Sequence, residues 1–132
     1  MATTTYGRNK LMDALTSVSP YTWPALWLSL HTADPGLAGS HAAEIGAGIG
    51  YARLSLAGIM GASSGGISVN TALVTIGPAT ANWGTIIFLG IEDSGVIGAG
   101  NMVIPGVPSI PRTINSGHPF QIPAGQLQLA LR

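Results

Sequence analysis

The 132-residue chain contains no cysteine and only ten charged residues, five basic and five acidic. Without cysteine, a disulfide framework, a thiol nucleophile and a cysteine-ligated zinc site are all excluded. Charged residues make up 8% of the chain, against roughly 25% in an average soluble domain. Because the net charge is +0 and the five cations are scattered, the sequence predicts no nucleic-acid partner.

Charge is absent altogether from residues 54–91, a stretch long enough to cross a bilayer. This stretch is repeatedly interrupted by residues that break helices, among them Gly58, Gly61, Asn70, Gly77, Pro78 and Asn82. The first residues also lack the apolar core of a secretory signal. We therefore expect no membrane segment, and synthesis and assembly in a cytoplasm.

The clearest helical pattern lies near the N-terminus. Apolar residues at helical spacing predict a helix from Arg8 to Ser17, with Leu11, Met12 and Leu15 on one face. Pro20 then prevents the helix from continuing. Two interpretations are open: a short helix packed on its own domain, or an arm that docks on a neighbouring subunit.

The rest of the chain alternates between short apolar runs and turns rich in Gly, Pro, Asn and Asp. Leu26, Leu28 and Leu30, for example, alternate with more polar neighbours. Further strands are predicted over Thr85–Ile91, Phe120–Ile122 and Leu127–Leu131, and a strand or a hairpin over Ile67–Ile76. About eight such strands predict an all-β fold, an antiparallel β-sandwich resembling a jelly roll, with a short N-terminal helix. The predicted organisation is an arm over residues 1–20 and a single β-sandwich domain over residues 21–132.

The three histidines, His31, His41 and His118, suggest no metal centre. His31 with Asp34 and His41 with Glu44 are only pairs, whereas a zinc site needs three or four converging ligands. We expect His31 to end a strand and form a local hydrogen bond. We expect His41 and Glu44 to be solvated loop residues.

No motif points to catalysis. The Gly-x-Ser-x-Gly nucleophile pattern is absent. The glycine-rich segment Gly46–Gly50 does not precede a helix, so it predicts a loop lying flat against another surface and no phosphate cradle. Glu92 and Asp93 are expected in a hairpin turn. The sequence thus predicts no catalytic residue, no cofactor and no enzymatic activity.

Aromatic residues cluster between and beside two prolines early in the chain. Tyr21, Trp23 and Trp27 have no cations interleaved with them, so subunit-interface anchors are a better interpretation than a stacking platform. The low charge also leaves edge strands without the lysines that normally prevent sheets from pairing. We therefore expect much of the surface to be covered by other subunits, including copies of the same chain.

Several short segments together resemble a family of small virion structural proteins of tailed bacteriophages. The resemblance covers most of the chain and rests on Leu30–Gly36, Gly50–Arg53, Asn82–Ile86, Gly90–Asp93 and Pro123–Leu129. Members are described as head-associated or tail-fibre-like and have no known catalytic residues. The stretch Ile110–Arg112 departs from the family pattern.

The resemblance implies a function. The leading hypothesis is a capsid decoration, or cement, protein that binds the major capsid protein on the outer surface of the shell. It would act as a homo-trimer or homo-dimer located in the virion and assembled in the host cytoplasm, without nucleic-acid or membrane contact. The alternatives are a tail or tail-fibre component, or a glycan-binding module that uses the aromatic cluster.

Overall fold

A computed structural model describes residues 3–16, 25–108 and 110–130. Within these ranges it contains one helix and ten strands, and every strand pairing is antiparallel. The elements are α1 Thr5–Leu15, β1 Trp27–His31, β2 Leu54–Ser55, β3 Ile67–Val69, β4 Val74–Ile76, β5 Gly84–Ile86, β6 Phe88–Glu92, β7 Met102–Gly106, β8 Arg112–Ile114, β9 Phe120–Ile122 and β10 Gln128–Ala130. The predicted all-β fold with a short N-terminal helix is confirmed.

The strands form one large sheet and three small ones. The large sheet has the order β2-β1-β6-β7, while β3 pairs with β10, β4 with β9 and β5 with β8. In the large sheet Leu28 lies opposite Ile91, and Leu30 lies opposite Leu89. Every sheet joins segments that are distant in sequence, so the fold depends on long-range pairing.

Ten strands replace the expected eight because single apolar runs serve two sheets. The predicted strand Thr85–Ile91 changes partner at Ile87: β5 before it pairs with β8, and β6 after it pairs with β1. The run Ile67–Ile76 likewise divides into β3 and β4, which pair with β10 and β9 and not with each other. A hydrophobic run read alone cannot show where its pairing partner changes.

Helix α1 begins three residues earlier than the predicted Arg8. Thr4 is its N-cap, and the Thr4 hydroxyl accepts a hydrogen bond from the Gly7 N–H over 3.1 Å. The Thr4 N–H in turn donates to the Val103 carbonyl, 3.0 Å away, on β7. The first turn of the helix is therefore fastened to the large sheet.

The second half of α1 is more exposed than the first turn. Its predicted apolar face does not enter the core, because Met12 is 59% exposed and Leu15 is 79% exposed. Among the described helix residues only Gly7 is buried. The boundary predicted between residues 20 and 21 lies outside the described residues.

One hydrophobic core joins the four sheets. Its most deeply buried members are Leu28, Leu30, Val74, Ile86 and Phe120, all with no exposed surface. Burying one such side chain stabilises the fold by about 1.5–3 kcal/mol.

Two aromatic residues close the core beneath the glycine-rich loop. Tyr51 and Trp83 meet edge to face, with ring centres 5.7 Å apart. The Trp83 indole N–H donates to the Ile49 carbonyl, 2.8 Å away, so the polar end of the ring is satisfied. This contact fixes the loop over the core.

Candidate functional site

The second face of the large sheet is polar, and it is also buried. Because successive side chains of a strand point to opposite faces, Ser29 and His31 lie on the face opposite Leu28 and Leu30. Glu92 of β6 shares this face with them. Ser29, His31 and Glu92 have no exposed surface. The ordinary expectation of an outward, solvated polar face therefore fails here.

The Glu92 carboxylate is the centre of this face. It accepts hydrogen bonds from the Ser29 hydroxyl at 2.8 Å and from His41 Nε2 at 2.9 Å. The Arg53 guanidinium lies 3.9 Å away. Burial by itself would raise the pKa of Glu92, but contacts with His31, His41 and Ser29 and the charge of Arg53 hold the pKa below its usual value.

His31 adds a further step to this hydrogen-bond chain. Its Nε2 lies 2.8 Å from the Ser29 oxygen. Because the Ser29 hydroxyl proton is directed to Glu92, His31 Nε2 must carry the proton that Ser29 accepts. His31 Nδ1 is buried and has no hydrogen-bond partner. The local hydrogen bond predicted for His31 at a strand end is confirmed.

A second carboxylate, Glu44, lies beside the first and holds Arg53 in a two-pronged ion pair. Arg53 Nε and Nη2 donate to the two Glu44 oxygens over 2.8 and 2.7 Å. The Tyr51 hydroxyl and the Gly98 N–H also donate to Glu44, over 2.6 and 2.9 Å. Burial raises the pKa of Glu44, yet the hydrogen bonds from Arg53, Tyr51 and Gly98 outweigh it and lower the pKa overall.

The Glu44 carboxylate also shifts the pKa values of its partners Tyr51 and Arg53. Burial and the hydrogen bond to the Glu44 carboxylate raise the pKa of the Tyr51 phenol far above its usual value. Burial tends to lower the pKa of Arg53, but the ion pair with Glu44 and the nearby Glu92 charge raise it overall. Tyr51 therefore stays a neutral donor, and Arg53 stays charged.

These residues tie two loops to the large sheet. Arg53 Nη1 donates to the carbonyls of Ser94 and Ala99, over 2.7 and 2.9 Å. Residues 32–53 and residues 93–101 are thus held by one guanidinium. We call the whole set the buried polar cluster: Ser29, His31, His41, Glu44, Tyr51, Arg53 and Glu92.

Asp93 links the helix to the loop after β6 through hydrogen bonds. Its Oδ1 accepts from the Asn101 N–H over 2.7 Å, and its Oδ2 accepts from the Tyr6 hydroxyl of α1 over 3.1 Å. Two loops, the helix and the sheet therefore meet around adjacent side chains of β6 and the loop that follows it.

The buried polar cluster contains the residue types of a hydrolytic triad but not the arrangement. The Ser29 hydroxyl donates to a carboxylate and not to a histidine, and Ser29 has no exposed surface. A nucleophile in that position could not reach a substrate. Across the described ranges, no three metal-ligating side chains are grouped so as to hold a metal ion. The cluster is arranged to fix loops.

Two expectations about residues of the cluster are wrong. Glu44 and His41 are not solvated, since their side chains are 1% and 16% exposed. Glu92 is not in a turn, because β6 extends through it. Glu44 and His41 are covered because the loops fold back over the polar face of the sheet. Glu92 stays in β6 because it pairs with Trp27 and Met102. Sequence periodicity reveals neither feature.

A signal for the cluster was nevertheless present in the segments that carry the family resemblance. Leu30–Gly36 contributes His31, Gly50–Arg53 contributes Tyr51 and Arg53, and Gly90–Asp93 contributes Glu92. The structure brings these separate segments together at one place.

The three predicted interface anchors are only partly within the described residues. Tyr21 and Trp23 lie outside them. Trp27 is half-buried at the start of β1, and a Cβ added to Gly95 would lie 2.9 Å from its ring. One face of the Trp27 ring therefore packs on the loop after β6.

Within the described ranges, no helix is both long and apolar enough to span a bilayer.

Comparison with known proteins identifies the family. A family described as podophage GP4 fiber I protein gp80 matches residues 2–130. No curated protein matches the chain. The match covers nearly the whole chain, all ten strands and the entire buried polar cluster. The chain therefore belongs to the podophage GP4 fiber I protein gp80 family and is a structural protein of the bacteriophage virion.

Proposed function

We propose that the protein is a building unit of a podophage tail fibre. The observation that carries this proposal is the family match over residues 2–130, whose description names a fibre protein. The capsid decoration role that led the sequence-based hypotheses receives no comparable support. The tail-fibre alternative is therefore the better reading of the same structural role.

The architecture is that expected of a rigid structural subunit. The buried polar cluster fastens two loops to a sheet that is covered on both faces, so the surface they form keeps its shape. A chain with ten charged residues presents a nearly neutral surface that packs against other subunits with little desolvation of charge. Many repeated contacts of this kind are collectively strong even when each is weak.

Immunogold electron microscopy of purified virions tests the location. Antibodies raised against the recombinant chain should place gold at the tail, and virions of a phage in which the gene is deleted should show none. Gold distributed over the head would favour capsid decoration. Absence of the chain from purified particles would refute a structural role of either kind.

A further inference from the structure

An apolar groove of about 520 Å³ lies beside the C-terminal half of β7. Strands β9 and β10 form much of its other wall. Its apolar lining includes Ile104, Val107, Pro108, Phe120, Ile122 and Leu129. The stretch that departs from the family pattern, Ile110–Arg112, begins two residues after Pro108, and its Arg112 is part of the lining.

Apolar side chains beside the groove face outward. Among the lining residues, Val107 is 54% exposed and Ile67 is 41% exposed. Among the described lining residues Arg112 is the one with a charge. Its guanidinium lies 5.5 Å from the centre of the Phe120 ring and donates to the Gln121 carbonyl. The groove therefore presents a largely apolar floor with two neutral polar side chains, Gln126 and Gln128, and a single positive charge.

The second half of α1 has complementary chemistry. Met12 and Leu15 are three residues apart and share one side of the helix, and both are largely exposed. Asp13 lies next to Met12 in the chain and is partly exposed. No residue of α1 lines the groove of its own chain. The helix end and the groove are thus two separate apolar surfaces, one with an acid and one with a base.

Among the five acids, Asp13 is the one whose side chain accepts no hydrogen bond within the described residues, and Arg112 is the base that lines the groove. The other four acids already have hydrogen-bond partners: Asp34 the Gly36 N–H, Glu44 Arg53, Glu92 His41 and Asp93 the Asn101 N–H. Within the described residues, neither Asp13 nor Arg112 forms an ion pair.

We propose that the groove of one copy receives the second half of α1 from another copy. Met12 and Leu15 enter the groove, and Asp13 pairs with Arg112 of the copy that receives it. The inference rests on the proposed function, since it names the partner with which the fibre unit assembles. Because the two surfaces differ, the contact is head-to-tail, so copies close into a ring or extend into a chain.

Charge reversal tests the pairing. Sedimentation of the purified 132-residue chain over a concentration series should show self-association. Asp13→Lys and Arg112→Glu should each weaken it about tenfold or more, because each variant places like charges together. The double variant restores the opposite pair and should recover most of the affinity.

A matched pair of apolar variants tests the helix face. Leu15→Ser should weaken association, whereas Leu73→Ser should not, because Leu73 is also exposed, at 53%, but belongs to neither surface. Circular dichroism and thermal unfolding confirm that each variant is folded.

The inference is overturned if the wild-type chain is monomeric at every concentration, or if the double variant associates no better than the single ones. Either result leaves the position of the protein in the virion, measured by immunogold, unaffected. Gold away from the tail with intact charge rescue would instead refute the fibre location and keep the contact.

Discussion

At the scale of single residues, the most informative feature is where the few charges lie. Three of the ten charged residues, Glu44, Arg53 and Glu92, are in the buried polar cluster. Burying charge is unfavourable unless every charge is paired and hydrogen-bonded. Here both carboxylates accept several hydrogen bonds and the guanidinium donates four. The cluster therefore specifies one arrangement of the loops.

Removing one charge from the cluster should be costly. Glu44→Gln leaves the Arg53 charge buried beside a neutral partner, and we expect the free energy of unfolding to fall by about 3 kcal/mol. Urea unfolding measures this loss. Asp34→Asn is the matched control, because Asp34 is exposed and accepts one backbone hydrogen bond from Gly36. Equal losses in the two variants would contradict the role assigned to Glu44.

Stability should also depend on pH in a defined direction. The pKa values of Glu44 and Glu92 lie below their ordinary value of 4.5 in the folded chain. Their contribution is thus fully present above pH 4.5 and declines as the pH falls through the lowered pKa values. Urea midpoints measured from neutral pH to about pH 3 should therefore fall at the acidic end.

The Glu44→Gln, Glu92→Gln double variant is the control for this pH profile. It lacks both titrating groups, so its acid decline should be shallower although its stability at neutral pH is lower. An unchanged acid decline in the double variant would show that other groups cause the loss.

At the scale of elements, close approach of backbones decides which glycines are irreplaceable. Gly48 and Gly50 both have positive φ, +84° and +82°. A Cβ at Gly50 would lie 2.4 Å from the Pro78 carbonyl oxygen, whereas a Cβ at Gly48 would meet nothing within 4 Å. The predicted flat docking of the glycine-rich loop is therefore observed at Gly50 and not at Gly48.

This pair separates backbone strain from collision. Gly48→Ala should lower the free energy of unfolding by about 1 kcal/mol from the left-handed conformation alone. Gly50→Ala carries the same strain and the collision with Pro78, so we expect a further loss of about 2 kcal/mol. Thermal and urea unfolding of both variants provide the measurement. Similar losses would mean that the loop does not pack on Pro78.

The sequence pattern predicts some of the helix and strand positions but not others. Alternation correctly placed β1, β9 and most of β10, because each is a short apolar run bounded by turns. The start of α1 was missed because its signal is a cap, Thr4, whose second partner, Val103, is far away in the chain. The division of Thr85–Ile91 between two sheets was equally hidden, since pairing is a long-range property.

The site was harder to foresee than the fold. Alternation indicates that Ser29 and His31 share a face, but it does not show that residues 32–53 cover that face. Only the covering loop buries the Glu44 side chain and reduces the exposure of the His41 side chain to 16%. Several segments that resembled the phage family converge there, so the resemblance carried information that periodicity lacked.

At the scale of the whole molecule, both the low charge and the fold favour association with other subunits. Three of the ten charged residues lie in the buried polar cluster, so only seven belong to the rest of the chain. A surface so poor in charge promotes association, which is a hazard for a free monomer and an advantage for a subunit of an assembly. The second half of α1 and the apolar groove are the surfaces through which we expect copies to meet.

Cryo-electron microscopy of the intact virion tests the central claim most directly. The account predicts that the chain fits density in the tail fibre, with each copy packed against other subunits and the second half of α1 covered. Density for this chain only on the capsid shell, or copies in the tail whose surfaces all face solvent, would contradict it.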